Sequence, residues 1–131
     1  MMMKTKSIME DGDELRLDEE AYANAGERLR DKDWRIKNLY YIVDAKGRFV
    51  KFKRNRVQEH FNENKHVKNI IGKSRQHGMT TDETIDCFDQ MLFGRNENIM
   101  IIAHTKDVAK DIFQTKVIRA WEAMSPEIKK L

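Results

Sequence analysis

The chain has 131 residues, of which 40% are hydrophobic and 36% charged, and its net charge is +3. That length suits one small domain with a modest core, and its single cysteine, Cys87, excludes an intrachain disulfide and fits a reducing compartment. No apolar run approaches the roughly 18 residues of a membrane span, the Met1-Met2-Met3-Lys4 start lacks a signal-peptide core, and four scattered histidines with one cysteine do not spell a tetrahedral zinc site.

The small net charge hides an asymmetry. Residues 10–20 hold seven acids against Arg16 alone, whereas residues 32–76 hold thirteen Lys or Arg against four acids. Such a basic block suits a polyanion, nucleotide or DNA, with the acidic lead shielding it when no partner is bound; a solvated charged face is the plainer alternative.

Taken in order, residues 1–16 lack periodicity and are expected to have no fixed structure. Asp18 to Lys32 favours a solvated helix with a weak point at Gly26, so residues 1–32 read as an acidic lead-in to a unit spanning 33–131. Leu39–Val43 and Phe49–Phe52 are β-branched and aromatic, and Asp44-Ala45-Lys46-Gly47 between them is a turn, which predicts a hairpin. Val57 to Asn64 reads as a short helix, with Val57 and Phe61 at i, i+4.

Val67–Ile71 reads as a core strand. It enters a loop, Gly72-Lys73-Ser74-Arg75-Gln76-His77-Gly78, that ends in a helix start capped by Thr80 or Thr81, with Asp82 and Glu83 at its positive end. This helix is expected to bury Ile85, Phe88 and Leu92, with Met91 beside them, and to stop at Phe93-Gly94. Cys87 on it reads as packing. Ile99–Ala103 is a continuous apolar run, as in a strand covered on both faces of a parallel sheet. His104-Thr105 would lie at its C-terminal end, where open α/β sheets bind ligands. From Lys106 a long amphipathic helix follows, with Ala109, Ile112, Phe113, Val117, Ala120, Trp121 and Met124 in one core stripe. Ser125-Pro126-Glu127 starts one more helix; only five residues follow Pro126, the pattern expected of a truncated domain.

Strand, glycine-bearing loop and helix N-terminus is the arrangement that holds nucleotide phosphates, because loop amides and the unpaired donors of the first helical turn converge on an anion. The spelling departs from G-x-x-x-x-G-K-[ST]: Met79 stands where lysine is usual, so Lys73 or Arg75 must supply the charge. An ordinary turn, in which Gly78 merely permits a positive φ, is the competing reading.

Asp33-Trp34-Arg35-Ile36-Lys37-Asn38-Leu39-Tyr40-Tyr41-Ile42-Val43-Asp44, then Gln58 and Phe61, then Arg75-Gln76-His77-Gly78-Met79-Thr80-Thr81 and Ile101-Ile102-Ala103-His104-Thr105 resemble the start of a tailed-phage terminase large subunit. The likeness covers about residues 33–124. Members of that family package viral DNA with an N-terminal ATPase domain followed by a nuclease domain, and often carry a deviant Walker A of the form R-Q-x-G-x-T-T. The resemblance implies an α/β fold, an incomplete P-loop NTPase domain (RecA-like/ASCE) with a parallel-sheet core, preceded by the hairpin and an N-terminal helix.

It further implies ATP and Mg2+ as cofactors, with Lys73, Arg75, Gln76, Gly78, Thr80 and Thr81 around the phosphates, Thr80 near Mg2+ and Gln58 on adenine, whose edge needs a donor and an acceptor. Implied partners are double-stranded DNA and, in a full-length form, portal protein and small terminase subunit, in the cytoplasm of a host bacterium. No strand ending in paired acids follows Ala103, so Walker B is missing, the clustered carboxylates of the nuclease are missing too, and no catalytic residue is assigned. ATP turnover by this chain alone is not expected, and exposed sheet edges would invite self-association. The alternatives are a non-enzymatic basic DNA-binding or interaction module, such as an inactive prophage remnant, and a helicase-like remnant.

Overall fold

Asp44 shows how local chemistry builds the first recognisable unit. Its carboxylate accepts from the backbone N–H of Lys46 and Arg48 at 2.8 and 2.9 Å, and Gly47 takes φ +76°, a conformation that costs glycine little. The turn joins β1 (Tyr41–Val43) to β2 (Phe49–Lys51) in an antiparallel pair, with Tyr41 opposite Lys51 and Val43 opposite Phe49. The hairpin is therefore as expected. This computed structural model describes residues 25–74 and 77–130, so the acidic stretch 10–20, Arg75 and Gln76 lie outside the described residues.

The remaining order is helical. Residues 25–28 are helical, a turn follows, and Asp31 caps α1 (Lys32–Asn38) by accepting from Asp33 N. After the hairpin come α2 (Arg56–Glu63), α3 (Met79–Phe93) and α4 (Lys106–Ile112). The last of these runs on through a π-helical stretch, Phe113–Ile118, into α5 (Arg119–Ala123), and α6 (Pro126–Lys129) follows with proline at its first turn. No described helix is long and apolar enough to cross a membrane.

The core lies where α1, the hairpin, α3 and the α4–α5 helix meet. Ile36, Leu39, Tyr40, Phe52, Ile85, Phe88, Val117, Ala120 and Met124 are buried there, and Tyr40 meets Phe88 edge-on with ring centroids 5.8 Å apart. Fully burying a side chain of this size stabilises by about 1.5–3 kcal/mol. The expected stripe on the last long helix is only partly core, since Phe113 and Trp121 remain 45% and 39% exposed. The π-helical turn begins at Phe113, and its wider winding moves the stripe off a single line.

The α/β expectation is overturned. Among the described residues the sole sheet is the two-stranded antiparallel hairpin, so there is no parallel-sheet core of the RecA-like kind. Val67–Ile71 has no regular structure, and Val67 and Ile70 are fully exposed. Ile99–Ala103 is likewise unpaired, with Met100 and Ile102 more than four-fifths exposed. The physical reason is that β-branched composition only prepares a segment for a sheet. Each parallel strand needs a hydrogen-bonding neighbour reached by a crossover, and neither run has one.

Candidate functional site

The loop-to-helix junction is assembled from both sides. On one side, Asn55 and Gln58 cap α2 reciprocally: Asn55 Oδ1 accepts from Gln58 N at 3.0 Å, and Gln58 Oε1 accepts from Asn55 N at 2.7 Å. On the other, Gly78 sits at the N-cap of α3 with φ +68° and ψ +15°, and α3 has no side-chain cap. Two bonds join the sides. Gln58 Nε2 donates to the Gly78 carbonyl at 2.9 Å, and Asn55 Nδ2 donates to the His77 carbonyl at 3.2 Å. Gln58 is only 4% exposed.

Of the residues expected to hold phosphate, Gly78 forms the corner, Thr80 is exposed and Thr81 half-buried on the first turn of α3, and Lys73 is exposed in the loop. Ser74 Oγ lies 2.7 Å from His77 Nε2. Met79, in place of the usual lysine, is 4% exposed and packs inward. The structure thus brings Gln58 to the Gly78–Thr81 helix start, while Arg75 and Gln76 lie outside the described residues. His104 is exposed in a bend, away from any sheet. Among the described residues no group of three or more His, Cys, Asp or Glu could hold a metal ion.

One constellation went unread in the sequence. Asp82, Asp86 and Asp89 occupy one face of α3 at helical spacing and are 0%, 6% and 0% exposed. Each meets cations from the preceding half of the chain. Asp82 accepts from Arg54 Nε at 2.7 Å and Asn62 Nδ2 at 2.6 Å. Asp86 pairs with Lys32 at 2.9 Å, Lys65 at 3.1 Å and Arg54 at 3.4 Å. Asp89 receives both arms of Arg35 at 2.8 Å and the Tyr40 hydroxyl at 2.6 Å. No buried side-chain polar atom lacks a partner among the described residues.

The electrostatics follow from that pairing. Burial alone would push the Asp86 carboxyl up, but the bonds and charges of Lys32 and Lys65 hold it below its ordinary value. Burial pulls Lys65 down, and Glu83 with Asp86 more than restores it, leaving the ammonium raised. Tyr40 is raised by burial and by its bond to Asp89, so its hydroxyl stays a donor. Burial, then the Asp86 and Glu83 carboxylates, raise the Cys87 thiol, which suits packing and not nucleophilic chemistry. A sequence signal for this network did exist: three acids at i, i+4, i+7, opposite a cation-rich stretch.

The same network reinterprets the basic block. Lys32, Arg35, Arg54 and Lys65 are spent on α3, while Lys37 and Arg48 pair with Asp33 and Asp44. Much of the local charge excess is therefore an internal complement to the acids of α3. No protein-family model matches the chain, and no curated protein or solved structure matches it.

Proposed function

We propose that the junction of loop 72–78 with α3 binds the phosphates of ATP with Mg2+, as the nucleotide-holding part of a DNA-packaging motor of the tailed-phage terminase large-subunit type. One observation carries the reading. Gln58 and the Gly78-Met79-Thr80-Thr81 helix start, 20 residues apart in the chain, meet at 2.9 Å, so two separate pieces of the resemblance converge on one place. The first-turn amides of a 15-residue helix without a side-chain cap offer an anion the donors and positive potential it needs.

Asp82 and Glu83 would ordinarily repel a triphosphate there. Arg54 and Asn62 occupy Asp82, and Lys65 occupies Glu83 at 2.9 Å, which supports the reading by cancelling that charge. Lys73 and Arg75 would offset phosphate charge and Thr80 would sit near Mg2+. Binding without turnover is the activity proposed, since the sequence offers no Walker B carboxylate. Double-stranded DNA, a portal and a small subunit belong to the proposal as partners of the whole motor, in a host bacterial cytoplasm.

A titration of labelled ATP and Mg2+ into the 131-residue chain tests this. Saturable binding that weakens in Thr80→Ala and Arg75→Ala is expected; no saturable binding, or binding indifferent to Arg75→Ala, removes the reading. A second reading, a non-enzymatic basic module, is favoured by Lys53, Arg56 and Lys68, which are exposed and have no carboxylate partner among the described residues. It predicts DNA affinity that falls steeply with salt and ignores ATP.

A further inference from the structure

Gln58 has a side-chain amide that could read a base only if its oxygen and nitrogen were free to face one. Neither is. The N–H of Asn55 faces an oxygen, which Gln58 Oε1 supplies at 2.7 Å, and the Gly78 carbonyl, which also accepts from Asp82 N at 3.0 Å, can face only a donor, which Gln58 Nε2 supplies at 2.9 Å. These two partners fix which way the amide points, and the residue is 4% exposed. The approach is close enough that a Cβ built on Gly78 would lie 2.7 Å from Gln58 Nε2.

The surroundings hold α2 in the same place. Asn62, one turn further along α2, donates to Asp82 at 2.6 Å, and Arg54, just before α2, donates to the same carboxylate at 2.7 Å. Asn55 reaches the His77 carbonyl. Four side chains from one short segment therefore grip residues 77–82, the corner where the loop becomes helix.

We infer that Gln58 is a positioning residue: it sets the backbone at Gly78 and does not recognise adenine. The binding half of this inference rests on the phosphate-loop reading; the positioning half stands on the contacts alone. The junction then selects for phosphate and not for base. ATP, GTP and inorganic tripolyphosphate, each with Mg2+, are alternative ligands of one site.

Gln58→Glu separates the possibilities. A carboxylate keeps the acceptor for Asn55 N, and glutamate is a natural partner in a capping box, so α2 stays capped. It cannot donate to Gly78. The experiment compares amide hydrogen exchange at Asp82–Thr84, the first amides closed onto the α3 start, and in α5, with titrations of the three ligands, in the wild-type chain and the variant. Exchange at Asp82–Thr84, whose first amide donates to the Gly78 carbonyl at 3.0 Å, should quicken about five- to tenfold, the factor for losing one buried hydrogen bond, while α5 stays unchanged. Affinity for all three ligands should fall by a common factor.

A wild-type preference for ATP over GTP that vanishes in Gln58→Glu would overturn the inference and leave the phosphate-loop reading standing. Unchanged exchange at Asp82–Thr84 would overturn it as well. If no ligand binds but exchange quickens locally, the phosphate-loop reading falls and the positioning role is upheld. Asn62→Ala, which removes the bonds to Asp82 and to the Gln58 carbonyl but leaves the Gln58 side-chain amide intact, should quicken the same amides.

Discussion

Gly78 and Asp89 are the residues on which single changes should act hardest, for different reasons. At Gly78 a side chain would meet both the backbone at φ +68° and Gln58 Nε2 at 2.7 Å. Gly78→Ala should therefore destabilise by about 1–3 kcal/mol through strained backbone alone, seen as a lower urea midpoint. Asp89→Ala should cost about 3–5 kcal/mol, because it leaves the Arg35 charge buried without its partner. The apolar set Arg35→Met, Asp89→Leu and Tyr40→Phe, the last removing the hydroxyl that would otherwise lose its acceptor, should recover most of that loss; if this variant is as unstable as the single, the cost lies in packing and not in charge.

The pH dependence belongs to the same residues. Asp86 is held below its ordinary 3.8, so its contribution is complete above that value and is lost as pH falls through the lowered folded one. Lys65 is held above its ordinary 10.5, so its contribution is complete below that value and is lost as pH rises through the raised one. Urea midpoints should be level from the acid limit up to about pH 9.0, above which the raised Cys87 thiol and then the raised Tyr40 hydroxyl begin the alkaline drop that Lys65 extends. Lys65→Met should shrink the alkaline drop, and an unaltered alkaline arm would show that Lys65 contributes nothing to it.

Among the elements, α3 is the one read only by half from sequence. Ile85 and Phe88 were legible because apolar residues at helical spacing report a buried face directly. Asp82, Asp86 and Asp89 were not, because acids at that spacing ordinarily mark a solvated face, and their cations lie 21 to 54 residues away in the chain. Hydropathy cannot carry pairing at that distance. The hairpin was legible for the opposite reason, since Asp44 and Gly47 determine their turn through neighbours alone. The capping box of α2 is similarly local: Asn55→Ala should lower stability by about 1 kcal/mol and free the His77 carbonyl, measurable as a reduced thermal midpoint with faster exchange near the loop.

Across the whole molecule, the parallel sheet was the expectation that failed, and it failed through partnership, not composition. Val67–Ile71 and Ile99–Ala103 have the residues of buried strands, yet Val67, Ile70, Met100 and Ile102 face solvent. Among the described residues no backbone group of Ile99–Ala103 bonds to another backbone group. Such segments are templates for association. Light scattering should grow with protein concentration and fall in a variant carrying Ile70→Lys and Ile102→Lys. Scattering equal in both would assign any association to another surface.

The proposed site could be named in the sequence as a stretch but not as an arrangement. Gly78 and Thr80 could be named from the loop-to-helix spelling and Gln58 from the resemblance alone, whereas the bond between Gln58 and Gly78 required two segments to meet. The most direct test is an amide chemical-shift titration of the 131-residue chain with Mg2+ and ATP. Saturable shifts centred on Gly78, Met79, Thr80 and Thr81 are expected, with little change at Lys53, Arg56 and Lys68. Shifts confined to those three cations, or none at the start of α3 at saturating nucleotide, would contradict it.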